Sequence, residues 1–367
     1  MKIVFVSNYF NHHQKPVSDA FYKATDGDFK FIETTEITPW RRKMGYKEME
    51  APYTLKHTAE THEEVMNLIN NADVVITDAE FLNLTRERYN AGKLTFRYAE
   101  RLFKSKLRYL KAPVHALKAW KTRNMFMLCS SAFTARDFHL IGFYKGKTYK
   151  WGYFPERTSA NDETSMVADG QPNSILWVGR LIDWKHPESF VYVAKHLVSD
   201  GYTFSINVIG WGDMESQMKE IVQKEGLSNY VHFLGSMSPT EVRNHMVQSQ
   251  IFLFTSDEGE GWGAVLNEAM NSGCAVVASD KIGSVPFMIK DGVNGLSFKS
   301  CDWDDLYTKV KYLLDHQDER SKMASEALKT IKGTWNEETA VKNFISLASS
   351  MLKGEKVDIK DGPCSPA

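Results

Sequence analysis

Residues 254–270 read FTSDEGEGWGAVLNEAM, and the fold follows from how that stretch is punctuated. It starts at the end of Ile251–Phe254, a short apolar run bordered by Gln250 and by Thr255, Ser256 and Asp257, which predicts a buried strand. Gly259, Gly261 and Gly263 then let the backbone approach a ligand with its N–H groups turned towards it. Helix formers over 264–271 come next, closed by Gly273. A strand, a glycine-rich loop and a helix start make an anion-ready site, since the helix N-terminus carries unpaired N–H groups and the positive end of the dipole. Two carboxylates, Glu260 and Glu268, bracket it. Glutamates at that spacing are common on solvated helix faces, but a solvated helix needs neither the apolar strand before it nor three glycines at its start.

The same strand-then-helix rhythm fills the rest of the chain. The second half has apolar runs at 175–178, 204–209, 230–234 and 275–278, with helical stretches between them, one opening on Ser238-Pro239-Thr240-Glu241. The first half has runs at 2–8, 29–33, 73–77 and 125–129, a helix opened by Pro16, and Thr61-His62-Glu63-Glu64 as a predicted capping box. Such alternation predicts parallel sheets with helices on both faces. Residues 35–53, rich in Pro, Trp, Arg and Lys, break the rhythm and read as an insertion beside the ligand-binding edge, where an acceptor would be recognised. The polar, featureless 157–173 reads as a linker. The expected organisation is therefore a first domain at 1–156, the linker, a second domain at 174–335, an amphipathic helix at 336–353 and a polar tail at 354–367. The tail carries two prolines and is expected to be disordered or loosely packed.

Composition narrows the function. A chain of 367 residues suits two domains, and a formal net charge of -1 implies no overall polyelectrolyte partner. Cys129, Cys274, Cys301 and Cys364 are scattered without Cys-x2-Cys pairing, which argues against a zinc site or disulfide framework and fits a reducing cytosol. The opening MKIVFVSNYF is too short an apolar run for a signal peptide, and no stretch approaches the ~18 apolar residues of a membrane span. The expectation is a cytoplasmic protein. One stretch, 86–123, carries twelve basic residues against Glu87 and Glu100, interleaved with aromatic and aliphatic ones. It fits peripheral attachment to an anionic inner membrane face, each nearby cation contributing about 1 kcal/mol, or a core-facing stripe with a solvated basic back. No nucleic-acid motif accompanies it.

Glu260-x7-Glu268, the NEAMNSGCAVVAS run after it and WVGRLIDWKHPESF earlier in the second half together resemble the retaining glycosyltransferases of family 4. That family has the GT-B fold, two doubly wound Rossmann-like domains facing a central cleft. The resemblance is strong over the second half and architectural over the first. It implies that Glu260 faces the donor sugar, Glu268 the ribose, and Arg180 and Lys185 the diphosphate, with Gly179 allowing close approach. Gly210 and Gly212 match a turn near the donor, Leu234 and Met237 the loop where the base rests, and Gly261, Trp262 and Gly263 a source of backbone N–H groups. Trp262 stands where the family commonly has Phe, and Phe287 where it commonly has Glu. In the first domain the loop after strand 2–8 offers Asn11, His12, His13 and Lys15, without the Gly-Gly pair often found there. Asp78, Glu80 and Arg97 are further acceptor-side candidates. The histidine many relatives place near the donor sugar stays open among His12, His13 and His115.

The implied reaction moves a sugar from a nucleoside diphosphate sugar, UDP being the leading choice, to a glycan or lipid-linked acceptor, with no other cofactor. Cations at the departing diphosphate stabilise its charge. No carboxylate is an evident nucleophile, so a front-face route is preferred, in which a diphosphate oxygen takes the acceptor proton. No metal is expected, because Asp302-Trp303-Asp304 opens a helix and is predicted to cap it. In the resembling fold the last helix crosses back to the first domain, and closure of the halves excludes water. A nucleotide-sugar 2-epimerase-like isomerase and a non-catalytic sugar-nucleotide-binding protein are the alternatives.

Overall fold

The structure is a computed structural model that describes residues 1–43, 47–78, 83–101, 124–157, 173–356 and 358–367. It divides into two compact units, one made of Met1–Glu156 with Thr334–Ala367 and the other of Arg157–Gly333. The linker residues 158–172, Glu80, His115 and the part of the basic stretch at 102–123 lie outside the described residues.

The first unit is built on seven parallel strands, β1 (Ile3–Ser7), β2 (Phe29–Glu33), β3 (Thr54–Lys56), β4 (Val74–Asp78), β5 (Thr95–Ala99), β6 (Met125–Cys129) and β7 (Thr148–Lys150). Their order is β3-β2-β1-β4-β5-β6-β7. β1, IVFVS, is buried along its whole length, as a central strand covered on both faces requires. The order reverses between β1 and β4, and the carboxyl ends flanking such a reversal are where doubly wound sheets bind ligands. The helix Glu337–Lys353, capped by Asn336 and ended by Gly354 at φ 73°, packs on Lys15–Ala24. Phe344 anchors it, with ring centroids 5.4 Å from Phe21, 4.9 Å from Phe96 and 5.9 Å from Trp151.

The second unit has six parallel strands, β8 (Ser174–Val178), β9 (Ser205–Ile209), β10 (Val231–Gly235), β11 (Ile251–Phe254), β12 (Ala275–Ser279) and β13 (Leu296–Phe298). Their order is β10-β9-β8-β11-β12-β13, so β8 and β11 are hydrogen-bonded neighbours at the reversal. This places the two chemically loaded stretches of sequence side by side.

Four expectations need correction. The tail is not loose: Lys150 N donates to Ser365 O at 2.8 Å, Cys364 N to Lys150 O at 2.7 Å and Ala367 N to Thr148 O at 3.1 Å. β7 is an edge strand with unpaired backbone groups, and the tail covers them, burying Cys364 and Ser365. The basic stretch is not one surface helix over its described part. Thr95–Ala99 is an inner strand, and Arg88 is buried, donating to the carbonyls of Ile69, Ala72, Asp73 and Leu94 at 2.6–2.9 Å. Burial pulls its guanidinium down to about 10, and the four acceptors are what make a cation tolerable there. The capping box at Thr61 does not form, because its hydroxyl donates instead to Lys56 O at 2.6 Å. The insertion at 35–53 contains a short helix, Pro39–Lys43, and leads into β3, a strand the pattern did not show. Ser238 and Asp302, by contrast, cap as expected, Asp302 accepting from Asp305 N at 3.2 Å.

Candidate active site

Trp177 on β8 donates from its indole to Thr255 Oγ1 at 2.9 Å, and Thr255 in turn donates to Lys185 O at 2.8 Å. Asp257 N donates to Trp184 O at 3.1 Å, so the loop after β11 is stitched to the turn after β8. These bonds fix the chemistry-bearing side chains. Lys185 Nζ forms an ion pair with Glu260 Oε2, both side chains largely buried, and Ser256 Oγ donates to the same oxygen at 2.9 Å. The ammonium also lies over the rings of Trp184 and Phe254, 4.6 and 5.7 Å from their centroids, with the Arg180 guanidinium 5.5 Å from that of Trp184. Two cations and one carboxylate thus meet at the carboxyl ends of β8 and β11. Sequence reasoning gave Lys185 and Glu260 separate duties; the fold makes them partners.

It also missed His186, Ser256 and Asp257. His186 sits in the left-handed region at φ 52° and bonds Glu188 at 2.8 Å and Asp257 at 3.2 Å, with Cys301 Sγ 3.6 Å away. The Glu188 hydrogen bond, more than that of Asp257, holds its pKa above the ordinary value in spite of burial. The signal was present in the sequence as a His directly after Lys185 and an Asp just past a strand.

The glycines also hold the loops against one another. Gly179 N donates to Ile209 O at 3.0 Å and Leu181 N to Trp211 O at 2.9 Å, zipping the loops after β8 and β9 together. A Cβ on Gly210 would lie 1.8 Å from Gly179 O, and one on Gly212 2.3 Å from Leu181 O. Their smallness serves loop-to-loop contact. Gly263, at φ 80°, would press a Cβ to 2.4 Å from Phe254 Cζ. Trp262 is fully buried, its indole donating to Asn267 Oδ1 at 2.8 Å and its carbonyl accepting from Ser284 N at 3.3 Å. Its ring lies 6.4 Å from that of Phe287, so the two departures from the family pattern meet in space. Leu234 and Met237 lie at the end of β10 and just beyond it, half-buried, and Gly210 N donates to Gly235 O at 2.8 Å.

Glu268, on the helix Val265–Asn271, is half-buried, and its carboxylate has no hydrogen-bond partner among the described residues. Loss of surrounding water pushes its pKa up to about 7, the charge of Arg243 pulling the other way. The folded protein therefore holds a proton there that the unfolded chain, at an ordinary carboxylate value, releases. The resulting stability is fully present below about 4.5 and is lost as pH rises towards 7, falling by about 1.4 kcal/mol for each pH unit in that range. Glu268→Gln is expected to flatten this slope in urea-unfolding midpoints between pH 4.5 and 7; parallel slopes in both proteins would contradict it.

In the first unit the candidates divide. Asn11 is buried, its amide donating to Tyr9 O at 3.2 Å and its carbonyl accepting from His13 N at 2.9 Å, so it shapes the loop. The rings of His12 and His13 are tilted against each other with centroids 4.0 Å apart, and burial pushes His13 down to about 3, leaving it neutral. Lys15 pairs with Asp19 at the surface. Asp78 closes β4. Arg97 is mid-strand in β5 with its guanidinium 4.9 Å from the Phe138 ring centroid, packed under a helix rather than at a strand end.

Residues 160–330 match the family model described as Glycosyl transferases group 1. An uncharacterized glycosyltransferase of Methanocaldococcus jannaschii, MJ1069, is 24% identical over 293 residues, 74% of each chain. The amylovoran biosynthesis glycosyltransferase AmsK of Erwinia amylovora is 32% identical over 130 residues, 34% of this chain and 32% of AmsK. Anabaena Alr3699/HepE in complex with UDP superimposes with a TM-score of 0.72 at 15% identity, covering 95% of this chain and 100% of HepE. The chain has the GT-B fold, and the likeness of residues 160–330 to the group 1 glycosyl transferase model supports a glycosyltransferase.

Proposed function

We propose that this protein is a retaining glycosyltransferase that moves a sugar from a UDP-sugar to a saccharide or lipid-linked saccharide acceptor. The observation that carries the reading is the meeting of Arg180, Lys185 and Glu260 at the carboxyl ends of β8 and β11, the switch point of the second sheet. As the bond between the sugar and the diphosphate breaks, negative charge gathers on the leaving group, and Arg180 and Lys185 stabilise it in a site that excludes water. Glu260, held by Lys185 and Ser256, accepts from donor-sugar hydroxyls, and Glu268 accepts from the ribose. The acceptor proton passes to a diphosphate oxygen on the face the leaving group vacates, which needs no protein nucleophile. The two cations do the work a metal would do, so the reading includes metal independence. HepE has been solved with UDP-glucose, which favours UDP here. Nothing in the geometry favours the epimerase alternative.

Thermal unfolding and turnover against UDP-, GDP- and ADP-sugars, with and without EDTA, test the reading. UDP-sugars at 100 times their dissociation constant should stabilise by about 2.7 kcal/mol, unaffected by EDTA. No shift with any of them, or release of an epimerised sugar without acceptor, would overturn it. The reading extends to peripheral membrane attachment through the seven basic residues within 104–123. Co-sedimentation with anionic vesicles at low salt but not at high salt is expected, and absence of binding at low salt would sink that part.

A further inference from the structure

His186 follows Lys185 directly, and its backbone lies in the left-handed region at φ 52° and ψ 58°. That conformation is unfavourable for a residue with a Cβ and persists where the surrounding contacts impose it. Two carboxylates supply those contacts, Nδ1 lying 2.8 Å from Glu188 Oε1 and Nε2 3.2 Å from Asp257 Oδ2. A ring that meets a carboxylate at each nitrogen satisfies both only by donating from both, which is the imidazolium form. The dependence is mutual, because Glu188 Oε2 is shut off from solvent and has no hydrogen-bond partner among the described residues.

Asp257 carries this contact into the active-site loop. Its Oδ1 accepts from Gly259 N at 2.7 Å and its carbonyl from Glu260 N at 3.1 Å, while its own N–H donates to Trp184 O at 3.1 Å. One end of the His186–Asp257 bridge is therefore next to Lys185 in the chain, and the other holds the backbone of Glu260. The ion pair is tied a second time, through its main chains. The other neighbours leave the imidazolium to the two carboxylates. Cys301 Sγ stands 3.6 Å from Nε2 and the Trp303 ring lies 5.5 Å away between centroids. Asp302, beside Cys301, is engaged by Asp305 N and Lys299, and the Lys185 ammonium is paired with Glu260. The hydrogen bond to Glu188, opposed by burial and helped by Asp257, keeps His186 above its ordinary value of 6.5.

We propose that His186 is a positioning residue for the transfer reaction: as an imidazolium it clasps the loop after β11 to the turn after β8, and loss of its proton loosens the placement of Lys185 and Glu260. The reaction part rests on the transferase reading; the clasp does not. A histidine raised on folding stabilises the fold fully below its unfolded value of 6.5, and that stability is lost as pH rises through the folded value. Turnover should follow the same proton.

Two variants test it. His186→Asn tolerates the left-handed backbone without a charge, and His186→Arg keeps a charge at every pH and can donate to both carboxylates. With a UDP-sugar at pH 6, kcat of His186→Asn should fall about ten- to hundredfold, with KM changed by less than about threefold. That deficit should shrink towards pH 9, where the wild type has lost its own charge, and His186→Arg should keep more of its pH 6 turnover at pH 9 than the wild type does. The clasp has readouts that need no turnover. The gap in urea midpoint between wild type and His186→Asn should narrow from pH 6 to pH 9, the Glu268 contribution being common to both. Ring-proton NMR of the wild type should show a histidine signal, missing from His186→Asn, that titrates above 6.5. A His186 signal titrating at or below 6.5, or a kcat deficit equal at every pH, would overturn the proposal. If the clasp signals are present but the wild type turns over no nucleotide sugar, the clasp stands and the transferase reading alone fails.

Discussion

Lys185→Ala is expected to lower kcat by about 10²- to 10³-fold, the usual effect of removing one charge-stabilising group from a preorganised site. The expectation rests on the company Lys185 keeps. Its ammonium is held by Glu260 and by two aromatic faces, in a spot where little water reaches. A cation fixed there needs no rearrangement when charge develops on a leaving diphosphate. Removing it does a second thing, because Glu260 is left largely buried with Ser256 as its remaining hydrogen-bond donor. Breaking a buried pair from one side is costly, about 3–5 kcal/mol where burial is complete. The variant should therefore also melt earlier, while Glu260→Gln, which leaves no unpaired anion, should lose turnover with a smaller drop in stability. Steady-state kinetics with a UDP-sugar and melting curves on the same samples separate the two effects. Turnover of Lys185→Ala within tenfold of wild type would remove Lys185 from the catalytic group.

Gly210→Ala is expected to be the most damaging single methyl group in the second unit, costing roughly 3–5 kcal/mol and abolishing the UDP response. The added Cβ would sit 1.8 Å from Gly179 O at a backbone φ of 138°. What it meets is main chain, which cannot rotate away as a side chain would. Relief would require breaking the Gly179 N to Ile209 O and Leu181 N to Trp211 O bonds that hold the Arg180 loop in place. Gly226→Ala is the control: it has φ 71° and nothing within 4 Å, so it should cost only about 1 kcal/mol of backbone strain. Equal urea midpoints for the two variants would show that the Gly210 contact is dispensable.

Local pattern was enough for the strands on which the site is built. Apolar runs such as Ile251–Phe254, cut off by polar residues and glycines, carry their own boundaries, so the motif positions at carboxyl ends could be read directly. Short strands such as Thr54–Lys56 and Leu296–Phe298 escaped, because three residues give too little alternation to distinguish from loop. The basic stretch misled for a related reason: composition records that Arg88 is charged but not that four carbonyls converge on it.

What the sequence determined by itself is therefore the alternating two-part architecture, the strand ends after which Arg180, Lys185 and Glu260 fall, and the helix caps at Ser238 and Asp302. Those follow from neighbours in the chain. Only the tertiary structure decided that Lys185 and Glu260, 75 positions apart, form an ion pair, that Gly210 is small because of a carbonyl at Gly179, that the tail completes the β7 edge, and that Glu33 at the end of β2 accepts from Phe10 N. The physical reason is the same in each case. Which element lies beside which is fixed by the strand order of the sheets, and the hydrogen bonds, clashes and burial that give a side chain its role are set by partners that the chain brings together only on folding.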